Sequence, residues 1–260
     1  MRQLKQFWFQ LTAKRETTGL VVGFITLLVV FLPIPLFGLV LVAFSYLLGL
    51  ELEQILQRRF LRLVPPVVLI SSLSSPYLGL LTTFLAALTL GYFQVKLRGY
   101  YSEATFKSFL EAIFVGTYAG ILPSTLFVLK EHSSYLLLSV VLAVWAADTA
   151  AYYVGKKFGK QPLVPLLSPS KTWEGFLGGL FAGTLVGAVS SSFFSLNGIS
   201  PFSWLVVILM SVAGDLFESY LKRSFNVKDS SNLLGSHGGI LDRFDALLFA
   251  SLTLAAFISS

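Results

Sequence analysis

A series of long apolar runs, separated by short charged segments, constrains this chain more than any other feature. The runs cover residues 18–50, 63–95, 108–129, 133–147, 175–217 and 246–260. The hydrocarbon core of a bilayer is about 30 Å thick, which about 20 helical residues span. Hydrophobic residues make up 55% of the chain and charged residues 12%, a composition that excludes an ordinary soluble domain. The sequence therefore predicts an all-α polytopic integral membrane protein.

Three of these runs are too long for a single crossing. A straight helix over residues 20–50 would be about 46 Å long, against about 30 Å of hydrocarbon. Pro33 and Pro35 predict a turn in the first run, and the stretches SSLSSP and SLNGISP predict breaks in 63–95 and 175–217. This division gives about nine transmembrane helices, several of them short. A re-entrant hairpin in place of a closely spaced pair would leave the orientation of the other helices unchanged.

The distribution of positive charge favours the same division. With a cytoplasmic N-terminus, nine crossings place all 19 Lys and Arg residues except Lys130 on the cytoplasmic side. Treating residues 64–93 as one crossing removes the asymmetry. Residues 1–17 mix basic side chains with Phe7, Trp8 and Phe9 and lack the apolar core of a signal peptide. We expect this segment to form an interfacial helix.

Two absences in the composition limit the metal chemistry. The chain has no cysteine and only two histidines, which excludes thiolate sites and a histidine-built centre. Any metal should be held by carboxylates, and carboxylate oxygens suit a hard cation such as magnesium.

Ionisable residues inside a bilayer are costly and usually face a cavity or a partner. In LVVILMSVAGDLFESYLKRSF, one helical face carries four polar side chains at i, i+3, i+4 and i+7, namely Asp215, Glu218, Ser219 and Lys222. In WAADTAAYYVGKKFGK, Asp148 lies one turn before Tyr152, and a lysine-rich segment follows. Both groups fall at cytoplasmic helix ends by the charge count.

A third group lies in SHGGILDRFDALL at the start of the last apolar run. Asp242 and Asp245 share one helical face, while Arg243 points about 100 degrees away from Asp242. If the three groups converge, their carboxylates would repel one another unless a divalent cation neutralised them. Nearby basic residues and the Gly238-Gly239 backbone beside a helix N-terminus suit phosphate oxygens. The pattern predicts a nucleotide-phosphate site.

Other interpretations of these residues remain open. The KKFGK segment also fits a positive-inside anchor, and Asp148 alone fits a hydrogen bond between packed helices. His237 also fits a solvated or capping residue. Asp215 with Asp242 and Asp245 also fits an ion-pair lock between helices.

Two stretches resemble a known family. SYLKRSFNVKDSSNLLGSHGGILDRFDAL, residues 219–247, resembles the signature of the phosphatidate cytidylyltransferases, or CDP-diacylglycerol synthases: S-x-x-K-R, four residues, K-D, then H-G-G, two residues and D-R-x-D. The matching positions are Ser219, Lys222, Arg223, Lys228, Asp229, His237, Gly238, Gly239, Asp242, Arg243 and Asp245. Residues 147–179 are similar to the family's D-x-x-A-Y-x-x-G-K-x-F-G-K and S-P-x-K-T-x-E-G stretches. The resemblance covers roughly residues 140–260, and the first 130 residues match only as short hydrophobic spans.

The resemblance implies an enzyme that joins CTP and phosphatidate into CDP-diacylglycerol and pyrophosphate with magnesium as its cofactor. A second metal ion could be present, and that ion could be monovalent. It implies Asp215, Asp242 and Asp245 as metal carboxylates, with Asp148 as a further candidate, and Lys222 and Arg243 as catalytic cations. It assigns substrate binding to Lys171, Ser219, Arg223, Lys228, Asp229, His237, Gly238 and Gly239. Glu174 belongs to a matching stretch without an assigned role.

The expected organisation combines the apolar runs, the charge distribution and the resemblance. After the interfacial segment 1–17, transmembrane helices occupy 18–130, and a catalytic membrane region occupies 131–260 with cytoplasmic loops at 155–173 and 222–241. We expect a homodimer in the inner (plasma) membrane with its active site facing the cytoplasm, and no nucleic-acid partner.

Two other functions would fit parts of the pattern. A CTP-dependent lipid kinase of the polyprenol or phytol type would attack the γ-phosphorus and release CDP, but the complete D-R-x-D signature favours cytidylyl transfer. A transporter would use intramembrane Asp and Lys residues as a substrate path and is expected to have inverted repeats, which the sequence does not display.

Overall fold

The structure, a computed structural model, describes residues 15–58, 60–234 and 238–259. Its α-helices are α1 Arg15–Val30, α2 Ile34–Leu56, α3 Val64–Ser74, α4 Pro76–Arg98, α5 Glu103–Gly116, α6 Leu122–His132, α7 Ser134–Phe158, α8 Trp173–Phe193, α9 Pro201–Ser224 and α10 Leu241–Ser259. A 3₁₀ turn at Leu61–Leu63 leads into α3, and a π-helical segment at Thr117–Ile121 joins α5 and α6 into one rod. The predicted interfacial segment lies outside the described residues except for 15–17, which belong to α1.

The predicted breaks in the long apolar runs are confirmed. Pro33 takes an extended ψ of 145° between α1 and α2. Ser75 and Ser200 begin α4 and α9, and their hydroxyls accept hydrogen bonds from Tyr77 N at 3.3 Å and Ser203 N at 3.1 Å. Serine caps are favoured because they satisfy amide groups that have no partner inside the helix. The helices end and restart where turn-forming residues cluster.

Six helical stretches of the described chain are long and apolar enough to cross a membrane. They are Ile34–Leu56, Pro76–Leu97, Glu103–His132, Ser134–Phe158, Trp173–Phe193 and Pro201–Ser224. Val21–Val30 and Leu61–Ser74 are apolar but shorter, and α10 carries three charged residues in its first two turns. The prediction of an all-α polytopic membrane protein is confirmed at this level. That these three further segments also cross the membrane is part of the proposal below.

One element of the structure was not predicted from the sequence. Within the expected loop 155–173, β1 Pro162–Val164 and β2 Ser168–Thr172 form an antiparallel hairpin. The turn between them is closed by a hydrogen bond from Leu167 N to Val164 O of 3.1 Å. Strand β2 ends at Thr172, directly before the first residue of α8, and the Thr172 hydroxyl accepts a hydrogen bond from Gly175 N at 3.2 Å. It therefore fixes the position of the residues just before α8.

Helices α7 and α8 pack closely through a stripe of glycines spaced four residues apart. Gly175, Gly179 and Gly183 are all buried on α8. A Cβ atom at Gly179 would lie 2.7 Å from Ala147 O and 3.0 Å from Ala151 Cβ. Small residues at this spacing let two membrane helices approach closely enough for backbone contact. Helix α7, which carries Asp148, is thereby held directly against α8.

We expect Gly179→Val to reduce the yield and thermal stability of folded protein. The new side chain meets backbone on α7, which cannot move aside, and overpacking of this kind typically costs about 1–3 kcal/mol. Leu185→Val on the exposed face of the same helix is the control. Each variant is heated in detergent and then run on a size-exclusion column. The measurement is the temperature at which half of the monodisperse peak is lost. Equal midpoints for the two variants would contradict the packing described here.

The bundle has two chemically different ends. At one end Lys130 is buried, and its Nζ donates to Val30 O at 2.5 Å and to Ser134 Oγ at 2.7 Å. Helix α2 starts just beyond Val30, and Glu51 lies about 25 Å further along it at about 1.5 Å per residue. There Glu51 accepts a hydrogen bond from Leu241 N, at the start of α10. The start of α10, with the motifs around it, thus lies at the end opposite Lys130.

Candidate active site

A cavity of about 830 Å³ contains most of the carboxylates singled out from the sequence. Its lining includes Asp148 of α7, Asp215 of α9, and Asp242, Arg243 and Asp245 of α10. Helix α1 and the ring of Trp145 complete its apolar side. Residues almost 100 positions apart are therefore brought together. The spacing of Asp242 and Asp245 predicted that these two would reach one site, and Asp215 lies with them.

A second cavity, of about 600 Å³, opens beside the hairpin. Its lining includes Lys156 at the end of α7 and Lys171 of β2, and it shares Asp148 and Asp215 with the first cavity. The two cavities therefore meet at Asp148 and Asp215, with basic side chains in the smaller cavity and further carboxylates in the larger one. This arrangement offers a place for phosphate next to a place for a cation.

Lys171 reaches this boundary because the hairpin carries it toward α9. Its ammonium group forms an ion pair with Asp215, and both side chains remain partly exposed. An exposed pair of this kind is weakly stabilising, typically about 0–1 kcal/mol. The Lys171–Asp215 pair can therefore open at little cost when either group meets a more strongly charged ligand.

Lys222 near the end of α9 bridges two buried carboxylates. Its Nζ lies 2.5 Å from Glu218 on the same helix and 2.5 Å from Asp242 at the start of α10. The side chains of Glu218 and Asp242 are 1% and 8% exposed. The sequence predicted the polar stripe on α9 but not this bridge, which ties the end of α9 to the start of α10.

Asp242 accepts hydrogen bonds from four donors. Lys222 Nζ bonds to Oδ1, while Ser230 N at 2.9 Å, Ser230 Oγ at 2.9 Å and Gly239 N at 2.7 Å all approach Oδ2. The carboxylate thus fixes the described part of the α9–α10 loop, residues 225–234 and 238–240, against α10. Asp245 is buried, and its described hydrogen bond comes from the neighbouring Ala246 N at 2.8 Å. Asp245 has the larger remaining capacity to bind a ligand.

The two glycines of the H-G-G motif are explained by close contacts with carboxylates. Gly238 has a φ of +77°, and a Cβ there would lie 2.5 Å from Asp242 Oδ2. A Cβ at Gly239 would lie 2.5 Å from Glu51 Oε1. The sequence-based interpretation assigned these amides to phosphate, but Gly239 N donates to Asp242. His237 lies outside the described residues.

The remaining predicted residues that the structure describes are not in the lining of either cavity. Ser219 is half-buried on α9, Arg223 is exposed and donates to Val227 O at 3.3 Å, and Lys228 and Asp229 are exposed in the α9–α10 loop. Glu174, in the first turn of α8, accepts a hydrogen bond from Lys160 N at 3.1 Å. The sequence analysis missed Glu51 and Ser230, whose hydrogen bonds hold the α9–α10 loop. A charge directly after a long apolar run was the available signal for Glu51.

The carboxylates fit magnesium in type but not as a ready-made cluster. Asp148, Asp215 and Asp245 present the hard oxygen atoms that magnesium prefers, along one cavity. Within 15–58, 60–234 and 238–259, however, no three acidic or histidine side chains are arranged to hold one ion. Asp215 is instead paired with Lys171. Binding of a cation would require this pair to open.

Comparison with known proteins gives a consistent result. A profile of the cytidylyltransferase family matches residues 13–260. The chain is 37% identical over 242 residues to a phosphatidate cytidylyltransferase of Aquifex aeolicus, covering 91% of this chain and 87% of the relative. Phosphatidate cytidylyltransferases of Staphylococcus saprophyticus and Staphylococcus aureus are 37% and 36% identical, covering 85% of this chain and 91% of each relative. The similarity extends well beyond residues 140–260, to which the motif resemblance was limited.

Proposed function

The chain belongs to the cytidylyltransferase family, and from this premise we propose that it transfers CMP from CTP to phosphatidate, giving CDP-diacylglycerol and pyrophosphate. It is a membrane-bound nucleotidyltransferase. The observation that carries the proposal is the shared boundary of two cavities, where Asp148 and Asp215 lie between a basic surface and further carboxylates. A purified sample given CTP, phosphatidate and magnesium should yield a lipid with the mass of CDP-diacylglycerol. An unchanged lipid would refute the proposal.

The proposed reaction is an in-line attack by the phosphatidate phosphate on the α-phosphorus of CTP, with pyrophosphate leaving. A phosphate monoester has a second pKa near about 6, so the nucleophile is largely anionic at neutral pH. No strong general base is needed. The difficulty is to bring two anions together, and fixed cations that neutralise and align them relieve it. The Asp, Lys, Arg and Gly composition of the site suits this task.

The Lys171–Asp215 pair supports a specific division of roles. Lys171 would turn from Asp215 to an incoming phosphate, which leaves the Asp215 carboxylate available to magnesium. Asp215 and Asp245 would hold the ion, with Asp148 beside them. Magnesium would supply charge neutralisation of the phosphate oxygens. Asp242, already bonded to four donors, would belong to the metal site by fixing the loop and the start of α10.

The other basic residues would bind anionic groups of the substrates. Arg243 lines the larger cavity and Lys156 the smaller one. Arg223 and Lys228 are exposed to solvent and would attract CTP from water, with Ser219, Asp229, His237, Gly238 and Gly239 shaping the surrounding surface. Because lipid tails must remain in hydrocarbon while CTP arrives from water, a site at one end of the bundle fits both substrates.

An apolar cavity beside the carboxylates supports a path for the acyl chains. It has a volume of about 320 Å³, lies between α1, α2 and α10, and shares Val22, Thr26 and Phe244 with the larger polar cavity. Its lining is almost entirely hydrophobic. A phosphatidate molecule could place its headgroup among the carboxylates and a tail along α1.

We expect Gly23→Leu on α1 to raise the apparent KM for phosphatidate severalfold and to leave the KM for CTP unchanged, because the new side chain narrows the lipid side of the larger cavity. Gly23→Ala is the matched control, since a Cβ there lies 3.5 Å from the Trp145 ring, an ordinary contact. Steady-state kinetics in mixed micelles measure both constants. An unchanged KM for phosphatidate in the leucine variant would exclude this path.

We also propose that the chain crosses an inner (plasma) membrane nine times, as a homodimer, with its N-terminus and active site in the cytoplasm. The charge asymmetry of the loops supports this orientation. Because the chain has no cysteine, single cysteines can report it. In intact cells an impermeant maleimide should label Asn197→Cys, in the α8–α9 turn, and should not label Leu166→Cys, at the fully exposed hairpin tip. Labelling of Leu166→Cys but not of Asn197→Cys would show that the chain has the opposite orientation.

A further inference from the structure

Glu51 is a fully buried carboxylate contributed by the N-terminal half of the chain. It lies near the end of α2, and its exposed fraction is 0%. Within the part of the chain that the structure describes, four groups donate to it, and all come from residues 179–190 positions later, in the α9–α10 loop and at the first residue of α10. An ionised side chain in an apolar helix is costly unless it is fully hydrogen-bonded. Glu51 meets this condition through the loop and the start of α10, beside the candidate active site.

The four contacts require an acceptor oxygen at both positions of the carboxyl group. Oε1 accepts from the Ser231 hydroxyl and Ile240 N, both at 2.7 Å, and Oε2 accepts from the Ser230 hydroxyl and Leu241 N, both at 2.8 Å. Each oxygen therefore receives one hydroxyl and one backbone amide. A hydroxyl can rotate and accept instead, but a backbone N–H can only donate. The negative charge also lies at the N-terminus of α10, where the helix dipole favours it.

Glu51 and Asp242 hold the loop from two sides. The Ser230 hydroxyl lies 2.8 Å from Glu51 Oε2 and 2.9 Å from Asp242 Oδ2, so the two carboxylates compete for its single proton. Gly239, whose amide donates to Asp242, has no room for a side chain because Glu51 lies against it. Movement of Glu51 would therefore change the position of Asp242 and the direction of α10.

We propose that Glu51 is a positioning residue for the transfer reaction: it fixes the α9–α10 loop and the start of α10, so that Asp242, Arg243 and Asp245 keep their orientation toward the larger cavity. The inference rests on the proposed function for its catalytic consequence, but not for the structural link itself. Glu51 is not in the lining of that cavity and acts through the residues it holds.

The test compares Glu51→Gln with Glu53→Gln, a neighbouring carboxylate that bonds to Arg62 at the other side of α2. In Glu51→Gln the NH2 group of the new side chain replaces one carboxylate oxygen and faces a backbone N–H, and neither of these two donors can accept a hydrogen bond. Hydrogen–deuterium exchange should then accelerate at Ile240 and Leu241, while α7 and α8 exchange as in the parent protein. The rate should fall about tenfold or more. Glu53→Gln should leave both quantities near their parent values.

A further measurement separates positioning from a loss of folded protein. If Glu51 orients metal-site carboxylates, Glu51→Gln should raise the magnesium concentration needed for half-maximal rate. A smaller folded fraction would lower the rate at every magnesium concentration without moving that midpoint. Unchanged exchange at Ile240 and Leu241, or a lower rate with an unmoved midpoint, would overturn the proposal.

A milder variant covers the case in which Glu51→Gln does not fold. Ser231→Ala removes one of the four donors and keeps the carboxylate, so faster exchange at Ile240 and Leu241 is expected with a smaller loss of rate. Unchanged exchange and rate in Ser231→Ala would then overturn the inference. If the parent protein formed no CDP-diacylglycerol, the proposed function would fail while the exchange experiment still tested the link between α2 and the loop.

Discussion

Asp245→Asn is expected to lower the turnover number about a hundredfold to a thousandfold while leaving the fold intact. The asparagine has the same size, and its Oδ1 can still accept the hydrogen bond from Ala246 N. What it loses is the negative charge that the buried carboxylate presents to the larger cavity. The measurement is the initial rate of CDP-diacylglycerol formation at saturating CTP, phosphatidate and magnesium.

Glu131→Gln is the matched control, because this exposed carboxylate lies near the end of α6, at the opposite end of the bundle. It should retain the parent rate. Thermal midpoints in detergent show whether both variants are folded. If folded Asp245→Asn turned over at a near-normal rate in saturating magnesium, Asp245 would not be a metal ligand, and Asp215 and Asp148 would have to serve without it.

Lys222→Met should have the second large effect, and this one is on stability as well as activity. Lys222 lies between Glu218 and Asp242, and its side chain is 12% exposed. Removing the cation leaves two buried carboxylates side by side, and loss of one partner from a buried pair typically costs about 3–5 kcal/mol. We expect a large drop in the thermal midpoint and loss of CDP-diacylglycerol formation.

A second substitution tests the cause of that loss. Glu218→Gln in the Lys222→Met background removes one of the two stranded charges and should recover part of the thermal midpoint. Asp242 keeps its three other donors in both variants. Additive effects of the two substitutions would contradict the bridge between α9 and α10.

The features predicted correctly from the sequence are those set by local patterns. Hydropathy and proline positions predicted where α1 ends and α2 begins. Three-residue spacing predicted that Asp242 and Asp245 would face the same cavity, and Asp215 joined them because its helix ends at the same side of the bundle. Such inferences need only the helical repeat and the thickness of a bilayer.

The features missed from the sequence depend on contacts between distant segments. Periodicity along α2 does not indicate that Glu51 accepts a hydrogen bond from Leu241 N, and spacing along α9 does not indicate that Lys222 forms an ion pair with Asp242. The β1–β2 hairpin was not predicted because its strands, three and five residues long, are too short to produce a clear alternating pattern. The family resemblance assigned Lys171 to phosphate, but nothing in the sequence predicted its pairing with Asp215.

The most direct test of the central claim follows two labels of CTP through the reaction. Purified protein is incubated with phosphatidate, magnesium and CTP carrying a radioactive phosphorus at either the α or the γ position. We predict that the α label enters the lipid fraction and that the γ label is recovered as pyrophosphate. Transfer of the γ label to lipid with release of CDP would contradict cytidylyl transfer and identify a lipid kinase, and recovery of both labels in CTP would leave the chain without the proposed activity.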